Sequence, residues 1–366
     1  MVLNHTARWW MNGDMGWSRY YFIYYTLALG VPIWLFLVGF SLSLSFTKTA
    51  LLHPTAIYSK TFRYIRRGLM IILSGYALNI LIFPEDPWYG TTALHTIGLG
   101  MIASAPLLFI LQHPLGRILV LAASPLFYLS FIGVYPELYQ WVTNHPKASP
   151  ALFFDFAPWP WMAAVFFGLI PGWLWIIGPY KGWFECSQAI RFTTILGIVL
   201  IVMFIVLQWI ENQSLVVDFR SDLLLNNHWI PKPITTLLMY GTFCLLFSVL
   251  YWIVEIQQIR LEWLMILGKT TFSIFFIHHL IGLIIAKRWL GIYFNHWLVF
   301  VLAVLSFIVL LVSIGQLILQ AKASRAKQPG GHVQNKLFVS EITILLPDCL
   351  VKLLKYNKMM FWHKYR

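Results

Sequence analysis

The chain has 366 residues, of which 59% are hydrophobic and only 11% are charged, and its formal net charge is +13. Soluble domains carry about 25% charged residues, so this chain has too few to cover a water-facing surface, and the composition excludes a soluble globular protein. A basic balance is typical of the cytoplasmic loops of membrane proteins, so we expect the lipid bilayer as a partner and no nucleic acid.

The apolar residues gather into nine stretches, each close to the ~20 residues that cross a bilayer as a helix. Backbone groups in lipid must be hydrogen-bonded within the protein, and none of these stretches alternates as a barrel strand does. The predicted fold is therefore all-α, a polytopic integral membrane helix bundle. The predicted spans are Tyr20–Phe46, Arg67–Phe83, Leu94–Leu111, Arg117–Tyr135, Trp161–Gly178, Phe192–Ile210, Ile234–Val254, Trp263–Ala286 and His296–Gln320.

The distribution of Lys and Arg predicts the orientation of these spans. With the N-terminus outside, most of the Lys and Arg residues fall on the inner side, as the positive-inside rule requires. Residues 1–320 are then the transmembrane domain and residues 321–366 a basic cytoplasmic tail. The same orientation makes Thr47–Arg66 a basic inner segment and Pro136–Pro160 a long outer loop.

Polar residues that could do chemistry lie near the outer ends of the predicted spans. They are His5, His95, Asp155 and the pair His278–His279. A histidine is the usual general base at neutral pH. Each residue also has a simpler interpretation: His95 could begin or pack the third span, and Asp155 could cap the fifth. Adjacent helical side chains point about 100° apart, so we expect at most one of the paired histidines to face the interior, and we favour His279.

The inner side carries a basic group, Arg63, Arg66 and Arg67, at the entry to the second span. These residues could orient the helix and contact anionic lipid, or hold a phosphate-rich cytosolic ligand, because Arg pairs well with phosphate oxygens. No predicted span has an acidic residue near its middle, which argues against a proton-coupled carrier. The spacing of the three cysteines indicates neither a metal site nor a disulfide framework, so no metal is expected.

Five stretches carry a further pattern when they are taken in chain order. They are "MVLNHTARWW", "GVPIWLFLVGFSLSLSF", "TFRYIRRGLMIILSGYALNI", "WYGTTALHTIGLGMI" and "LGKTTFSIFFIHHLIG". The first stretch is similar to the polar outer end of a membrane helix. The second is similar to a helix that contains a proline and small residues, and the third to a helix that begins with basic residues. Together they resemble membrane acyltransferases of the heparan-α-glucosaminide N-acetyltransferase type.

The resemblance implies an enzyme that takes an acyl group, typically acetyl, from cytosolic acyl-CoA and delivers it to a sugar hydroxyl or amine on the outer side. It implies His5 as acyl carrier or general base. Acyl-CoA is then a donor substrate, and no permanently bound cofactor is expected. The family's first helix precedes the segment that corresponds to "MVLNHTARWW", so a tenth, N-terminal helix is expected to be missing from this chain.

The other polar residues receive roles within the same hypothesis. Asn4, Arg8, His95, Asp155 and His279 would bind the acceptor or stabilise the developing oxyanion. Arg63, Arg66 and Arg67 would hold the CoA phosphates. The low cysteine content favours a bacterial inner membrane, and the orientation predicted from Lys and Arg places the C-terminus in the cytoplasm.

Two alternatives come from other classes of protein. A transporter or flippase of a lipid-linked or amphipathic substrate would also have many helices, but such proteins often contain two similar halves, and this sequence has no visible internal repeat. A structural membrane scaffold would leave the histidines at one face unexplained. The sequence is compatible with a homo-oligomer and does not predict one.

Overall fold

The computed structural model describes residues 2–11, 31–153, 156–213, 223–225 and 230–326. Within these ranges the chain is all-α, and the only β-type pairings are isolated bridges between Met11 and Phe294 and between Leu224 and Pro231. The α-helices are α1 (Val2–Trp10), α2 (Val31–Leu52), α3 (Ile57–Ile82), α4 (Ala93–Ile110), α5 (Pro114–Asn144), α6 (Ser149–Phe153), α7 (Pro158–Lys181), α8 (Cys186–Asn212), α9 (Pro233–Tyr251), α10 (Glu262–Lys269), α11 (Thr271–His279) and α12 (Trp297–Ala326).

Nine helical stretches of the described residues are long and apolar enough to cross a membrane. Each overlaps one of the nine predicted spans, so the prediction of a polytopic all-α membrane protein is confirmed. Two of the stretches include π-helical segments, Trp252–Ile256 after α9 and Leu280–Trp289 after α11. The chain divides into two compact units, a first unit of Met1–Tyr20 with Arg260–Arg366 and a second unit of Tyr21–Ile259.

The second unit is held together by a close crossing of α2 and α7. A Cβ atom added at Gly39 would lie 1.8 Å from the carbonyl oxygen of Val165, and one added at Gly168 would lie 2.2 Å from the carbonyl oxygen of Phe36. Gly172, one turn after Gly168, meets the backbone of Phe40 in the same way. Small residues let membrane helices approach this closely and gain dispersion contacts along their length.

In the first unit, α1 packs against the π-helical segment that follows α11. The indole Nε1 of Trp10 donates a hydrogen bond to the carbonyl oxygen of Gly282 over 2.9 Å. The backbone N–H of Phe294 donates to the carbonyl oxygen of Trp10 over 2.8 Å. These bonds attach the start of the described chain to a segment far along the sequence, and they fix the position of α1 within this unit.

The eighth predicted span, Trp263–Ala286, is wrong as a single continuous helix. It consists of α10, a break at Thr270, α11 and then a π-helical segment. The hydroxyl of Thr270 donates to the carbonyl oxygen of Ile266 over 2.7 Å, and the hydroxyl of Thr271 donates to that of Leu267 over 2.9 Å. Threonine side chains that bond to the preceding turn compete with the helical ladder, and two in succession follow Gly268 at the break.

Much of the predicted outer loop Pro136–Pro160 and of the predicted inner segment Thr47–Arg66 is helical. Helix α5 continues through Pro136 to Asn144, and only a short 3-10 turn, Pro54–Ala56, separates α2 from α3. Proline is tolerated inside membrane helices because neighbouring groups satisfy the freed carbonyl, so Pro136 was no sign of a loop. Helix α12 continues to Ala326, six residues past the end of the predicted span His296–Gln320.

Candidate functional site

Three histidine side chains of the first unit meet between α1 and the end of α11. Nδ1 of His5 lies 2.8 Å from Nε2 of His278. The ring centroids of His5 and His279 are 4.9 Å apart, and those of His278 and His279 are 4.2 Å apart. The structure therefore brings the predicted catalytic residue His5 together with His279, and it adds His278, which the sequence analysis did not select.

The expectation that at most one of the paired histidines faces the interior is wrong. His278 is 0% exposed and His279 is 3% exposed. The two side chains do point in different directions, but α1 lies over the face between them, so both rings reach His5. The signal for this arrangement was the pair itself, since two polar rings in the apolar run "IFFIHHLIG" both need partners when they are buried.

Trp9 covers the three imidazoles. Its ring centroid is 5.2 Å from those of His5 and His279 and 5.7 Å from that of His278. The indole can approach because residue 282 is glycine: a Cβ atom there would lie 2.9 Å from Trp9 Cζ3. Trp9 is 5% exposed, so one face of the cluster is closed by an apolar ring.

The hydrogen bonds of the paired histidines define which ring nitrogen carries the proton. His278 Nδ1 lies 2.8 Å from the carbonyl oxygen of Ile274, and His279 Nδ1 lies 2.7 Å from that of Phe275. A carbonyl oxygen only accepts, so each Nδ1 is the donor. In the neutral imidazole the other nitrogen, Nε2, then has the lone pair. By bonding to each Nδ1–H, the backbone of α11 thus leaves Nε2 of both rings as a hydrogen-bond acceptor.

The tautomer of His5 follows from that of His278. Because His278 Nε2 is an acceptor, the proton in the 2.8 Å contact comes from His5 Nδ1. His5 Nε2 therefore has the lone pair and is the basic nitrogen. Burial lowers the pKa of His5 below its ordinary value, and the imidazoles of His279 and His278 lower it further. The ring is neutral at physiological pH, which leaves that lone pair available for chemistry.

Two other predicted site residues share α1 with His5. Asn4 is partly buried, and Arg8 is exposed one turn further along. Side chains three and four positions apart lie on neighbouring parts of one helical surface. Arg8 therefore lies within the same stretch of surface as His5, whereas Asn4 points about 100° away from it.

His95 lies in the second unit, where it caps a helix. Its Nδ1 accepts from the backbone N–H of Thr92 over 3.0 Å and forms a capping box at the start of α4. The ring packs against Tyr76, with centroids 4.4 Å apart, and against Gly75. The role of His95 at the start of a helix is confirmed, and its role toward an acceptor stays a prediction.

The predicted phosphate-binding arginines also lie in the second unit, on α3. Arg63 and Arg67 are four residues apart on one face and are partly buried, while Arg66 is exposed on another face. Lys60 extends the first face, with its Nζ 5.8 Å from the ring centroid of Tyr64. This stripe of Lys60, Arg63 and Arg67 is the basic surface of α3. Asp155 lies outside the described residues.

The sequence matches no family model, and no curated protein or solved structure is significantly similar to it.

Proposed function

We propose that the chain is a membrane acyltransferase that uses acyl-CoA, with acetyl-CoA as the simplest donor, and acylates a sugar hydroxyl or amine. The observation that carries the proposal is the basic nitrogen of His5. His278 holds the Nδ1 proton of His5, and its own ring is fixed by the carbonyl of Ile274. The order of the five stretches that resemble the acyltransferase type supports the same assignment.

The hydrogen-bonded pair resembles the base-and-orienting-group arrangement of other acyl-transfer enzymes. As an acyl carrier, His5 Nε2 would attack the thioester carbonyl, the C–S bond would break, and the CoA thiolate would leave. His278 would accept the Nδ1 proton from the acylated ring. The acceptor oxygen or nitrogen would then attack the acyl carbon, and the bond from that carbon to Nε2 would break. His278 would return its proton to His5 Nδ1, which restores both neutral rings, and the acceptor's proton would pass to the CoA thiolate.

The same nitrogen can instead serve as a general base without carrying the acyl group. His5 Nε2 would take the proton of the acceptor while that acceptor attacks the thioester directly. His278 Nε2 would stabilise the resulting imidazolium by accepting a hydrogen bond from His5 Nδ1–H. A thioester is already activated, so positioning and deprotonation of the acceptor account for most of what either route requires. A labelled acyl group trapped on His5 would distinguish the first route from the second.

The basic surface of α3 supports an acyl-CoA donor. Lys60, Arg63 and Arg67 present three cationic side chains along one helical face. CoA carries several phosphate groups, and guanidinium groups bind phosphate oxygens through paired hydrogen bonds. The arginines would therefore bind the donor by its nucleotide end. The predicted orientation, with this surface at the cytosolic side of a bacterial inner membrane, belongs to the same proposal.

A transporter or flippase is the second candidate function, and one observation favours it. The span that carries His278 and His279 is interrupted at Thr270 and becomes π-helical after His279. Transporters commonly form their substrate sites where membrane helices are broken. Transport of a sugar or lipid-linked substrate that proceeds without release of CoA would support this alternative.

The test is transfer of radiolabelled acetyl groups from acetyl-CoA to endogenous acceptors in membranes that contain the full chain. His5→Ala is expected to lower the rate by ~10²-fold or more, the usual contribution of a general base or nucleophile. His296→Ala is the matched control, because His296 is exposed in the same unit and is not part of the cluster. Equal transfer by His5→Ala and the parent protein would remove His5 from the mechanism.

A further inference from the structure

The three histidines have the composition and spacing of a metal site. His5, His278 and His279 each offer a ring nitrogen, and these atoms all lie within 4.8 Å of one another. In a tetrahedral zinc site with Zn–N distances near 2.0–2.1 Å, two ligand nitrogens are about 3.4 Å apart. Rotations of the imidazole rings that move their nitrogens by about an ångström would therefore bring all three to one ion.

The hydrogen bonds around the cluster match those that support metal-bound histidines elsewhere. A ligating imidazole usually donates its second ring N–H to a carbonyl or carboxylate, which fixes its tautomer and direction. His278 and His279 both do so, to the carbonyl oxygens of Ile274 and Phe275. Their Nε2 lone pairs are thus directed by the backbone of α11, independently of any contact between the histidines.

The third ligand is provided by the bond between His5 and His278. Two nitrogen atoms here share one proton over 2.8 Å. A cation can replace that proton if the proton moves from Nδ1 to Nε2 of His5, which keeps the ring neutral and frees the Nδ1 lone pair. Charge and proton count are then conserved within the protein, and the two charges of the ion are the only charge added. In this form His5 Nε2 carries the proton, so acyl transfer through Nε2 belongs to the metal-free protein.

We propose that His5, His278 and His279 bind one divalent transition-metal ion of the Zn²⁺ type. Three neutral imidazoles with no thiolate suit zinc and its neighbours and do not suit calcium or magnesium, which prefer oxygen ligands. Three protein ligands leave a fourth position for water or for a substrate atom. Trp9 closes one side of the cluster, so this position lies on a side that the indole does not cover.

The expectation of no metal was based on the cysteines alone. Metal ligands that lie close together in one helix or loop give a recognisable sequence motif. Ligands from two helices far apart in the chain give no such motif. The adjacent pair His278–His279 contained two of the ligands, and the fold brings His5 to them.

The test measures metal bound to the full chain, purified in detergent without a polyhistidine tag and stripped with a chelator. Equilibration with Zn²⁺ is expected to load about one ion per chain. His279→Ala and His278→Ala are expected to bind Zn²⁺ more than ~100-fold more weakly, a larger loss than removal of an outer hydrogen-bond partner causes. His296→Ala is expected to bind as the parent protein does.

Two further measurements separate loss of a ligand from loss of the fold. His279→Gln keeps a polar side chain of similar reach, so this variant should retain its metal-free melting temperature while losing the ion. Co²⁺ in place of Zn²⁺ should give the visible absorption of a four-coordinate site with three nitrogen ligands in the parent protein, and the variant should lack this absorption. Failure of the parent to retain Zn²⁺, or equal binding by His279→Gln and His296→Ala, would overturn the proposal.

This inference goes beyond the proposed function and does not depend on it, because binding is measured with no acyl donor present. The two proposals also fail separately. If the protein binds zinc but transfers no acetyl groups, with or without metal, the metal site is supported and the acyltransferase is contradicted. If acetyl transfer requires His5 but the protein does not retain Zn²⁺, the acyltransferase is supported and the metal site is contradicted.

Discussion

The chemistry of the histidine cluster depends on which nitrogen atoms carry protons. Carbonyl oxygens of the preceding turn fix the rings of His278 and His279, and His278 in turn fixes His5. This order assigns different duties to three residues of one type. His5 presents a basic nitrogen, His278 positions it, and His279 lines the space beside both.

The positioning role of His278 predicts a graded response to substitution. His278→Ala removes the acceptor for His5 Nδ1–H, so His5 can adopt the wrong tautomer, and we expect kcat for acetyl transfer to fall by about 10²- to 10⁴-fold with little change in KM. His278→Gln should recover part of that loss, because its amide oxygen can accept the same proton.

The comparison of these two variants excludes a purely structural role. Alanine and glutamine variants with equally low kcat would mean that His278 acts through packing, and a parent-like kcat in both would mean that it does not act on His5. Melting temperatures of both proteins are the control. The glutamine variant should transfer acetyl groups but bind zinc poorly, which separates the two proposals at one position.

Much of the site could be predicted from single residues, and the remainder could not. His5 and the pair His278–His279 were candidates because polar residues stand out in an apolar sequence, and the resemblance then selected His5 as the catalytic residue. His278 was ranked below His279 by an argument from a single helix, which holds only when the partner lies on one side of that helix. The capping bond between His95 and Thr92 was foreseen as a helix start because the residue opens the apolar run.

At the scale of helices, the structure depends on how closely α2 and α7 approach. Gly39, Gly168 and Gly172 each place a backbone against a backbone. Lipid is as apolar as leucine, so dispersion contacts at close range, more than removal of apolar surface from water, drive such helices together. Any side chain at these positions separates the pair.

Gly168→Ala is therefore expected to destabilise the protein. The added Cβ would lie 2.2 Å from the carbonyl oxygen of Phe36, so the backbones must move apart, at a cost of about 2 kcal/mol or more. The measurement is the melting temperature of the protein in detergent. The matched control is Gly133→Ala on α5, where nothing lies within 4 Å of the added atom. A Gly168→Ala protein as stable as Gly133→Ala would contradict the crossing.

Helix positions were predictable because hydrophobic length is set by bilayer thickness. Their interruptions were not. The break at Thr270 and the continuation of α5 through Pro136 depend on which neighbouring groups satisfy freed backbone atoms. Composition places a helix in a sequence, whereas tertiary partners decide where its hydrogen-bond ladder ends or changes pitch.

At the scale of the whole molecule, the distribution of charge predicts how the chain is threaded through the membrane. Basic residues lie beyond both ends of the predicted spans, and most of them are on the predicted inner side. Transfer from a cytosolic donor to an acceptor on the outer side requires that the donor site face the cytosol. The predicted orientation is therefore part of the proposed function.

Cysteine accessibility tests that orientation. In a protein whose native cysteines are replaced by serine, Lys147→Cys should react with a membrane-impermeant thiol reagent in intact cells, because Lys147 is exposed in a predicted outer segment. Arg260 is exposed between the seventh and eighth predicted spans, which the predicted orientation places on the inner side, so Arg260→Cys should react only after the membrane is opened. Labelling in the opposite order would reverse the topology and place the basic surface of α3 away from cytosolic acyl-CoA.

The π-helical segment Leu280–Trp289 has a consequence for the gene. Each π turn closes with one residue more than an α turn, so loss of a single codon beyond Gly282 could be absorbed by a return to α pitch. The same loss within Thr271–His279 would rotate the histidine pair by about 100° away from α1. Deletions of one codon should therefore be tolerated beyond Gly282 and eliminated within Thr271–His279, so the positions of such deletions among related genes would mark where the site lies.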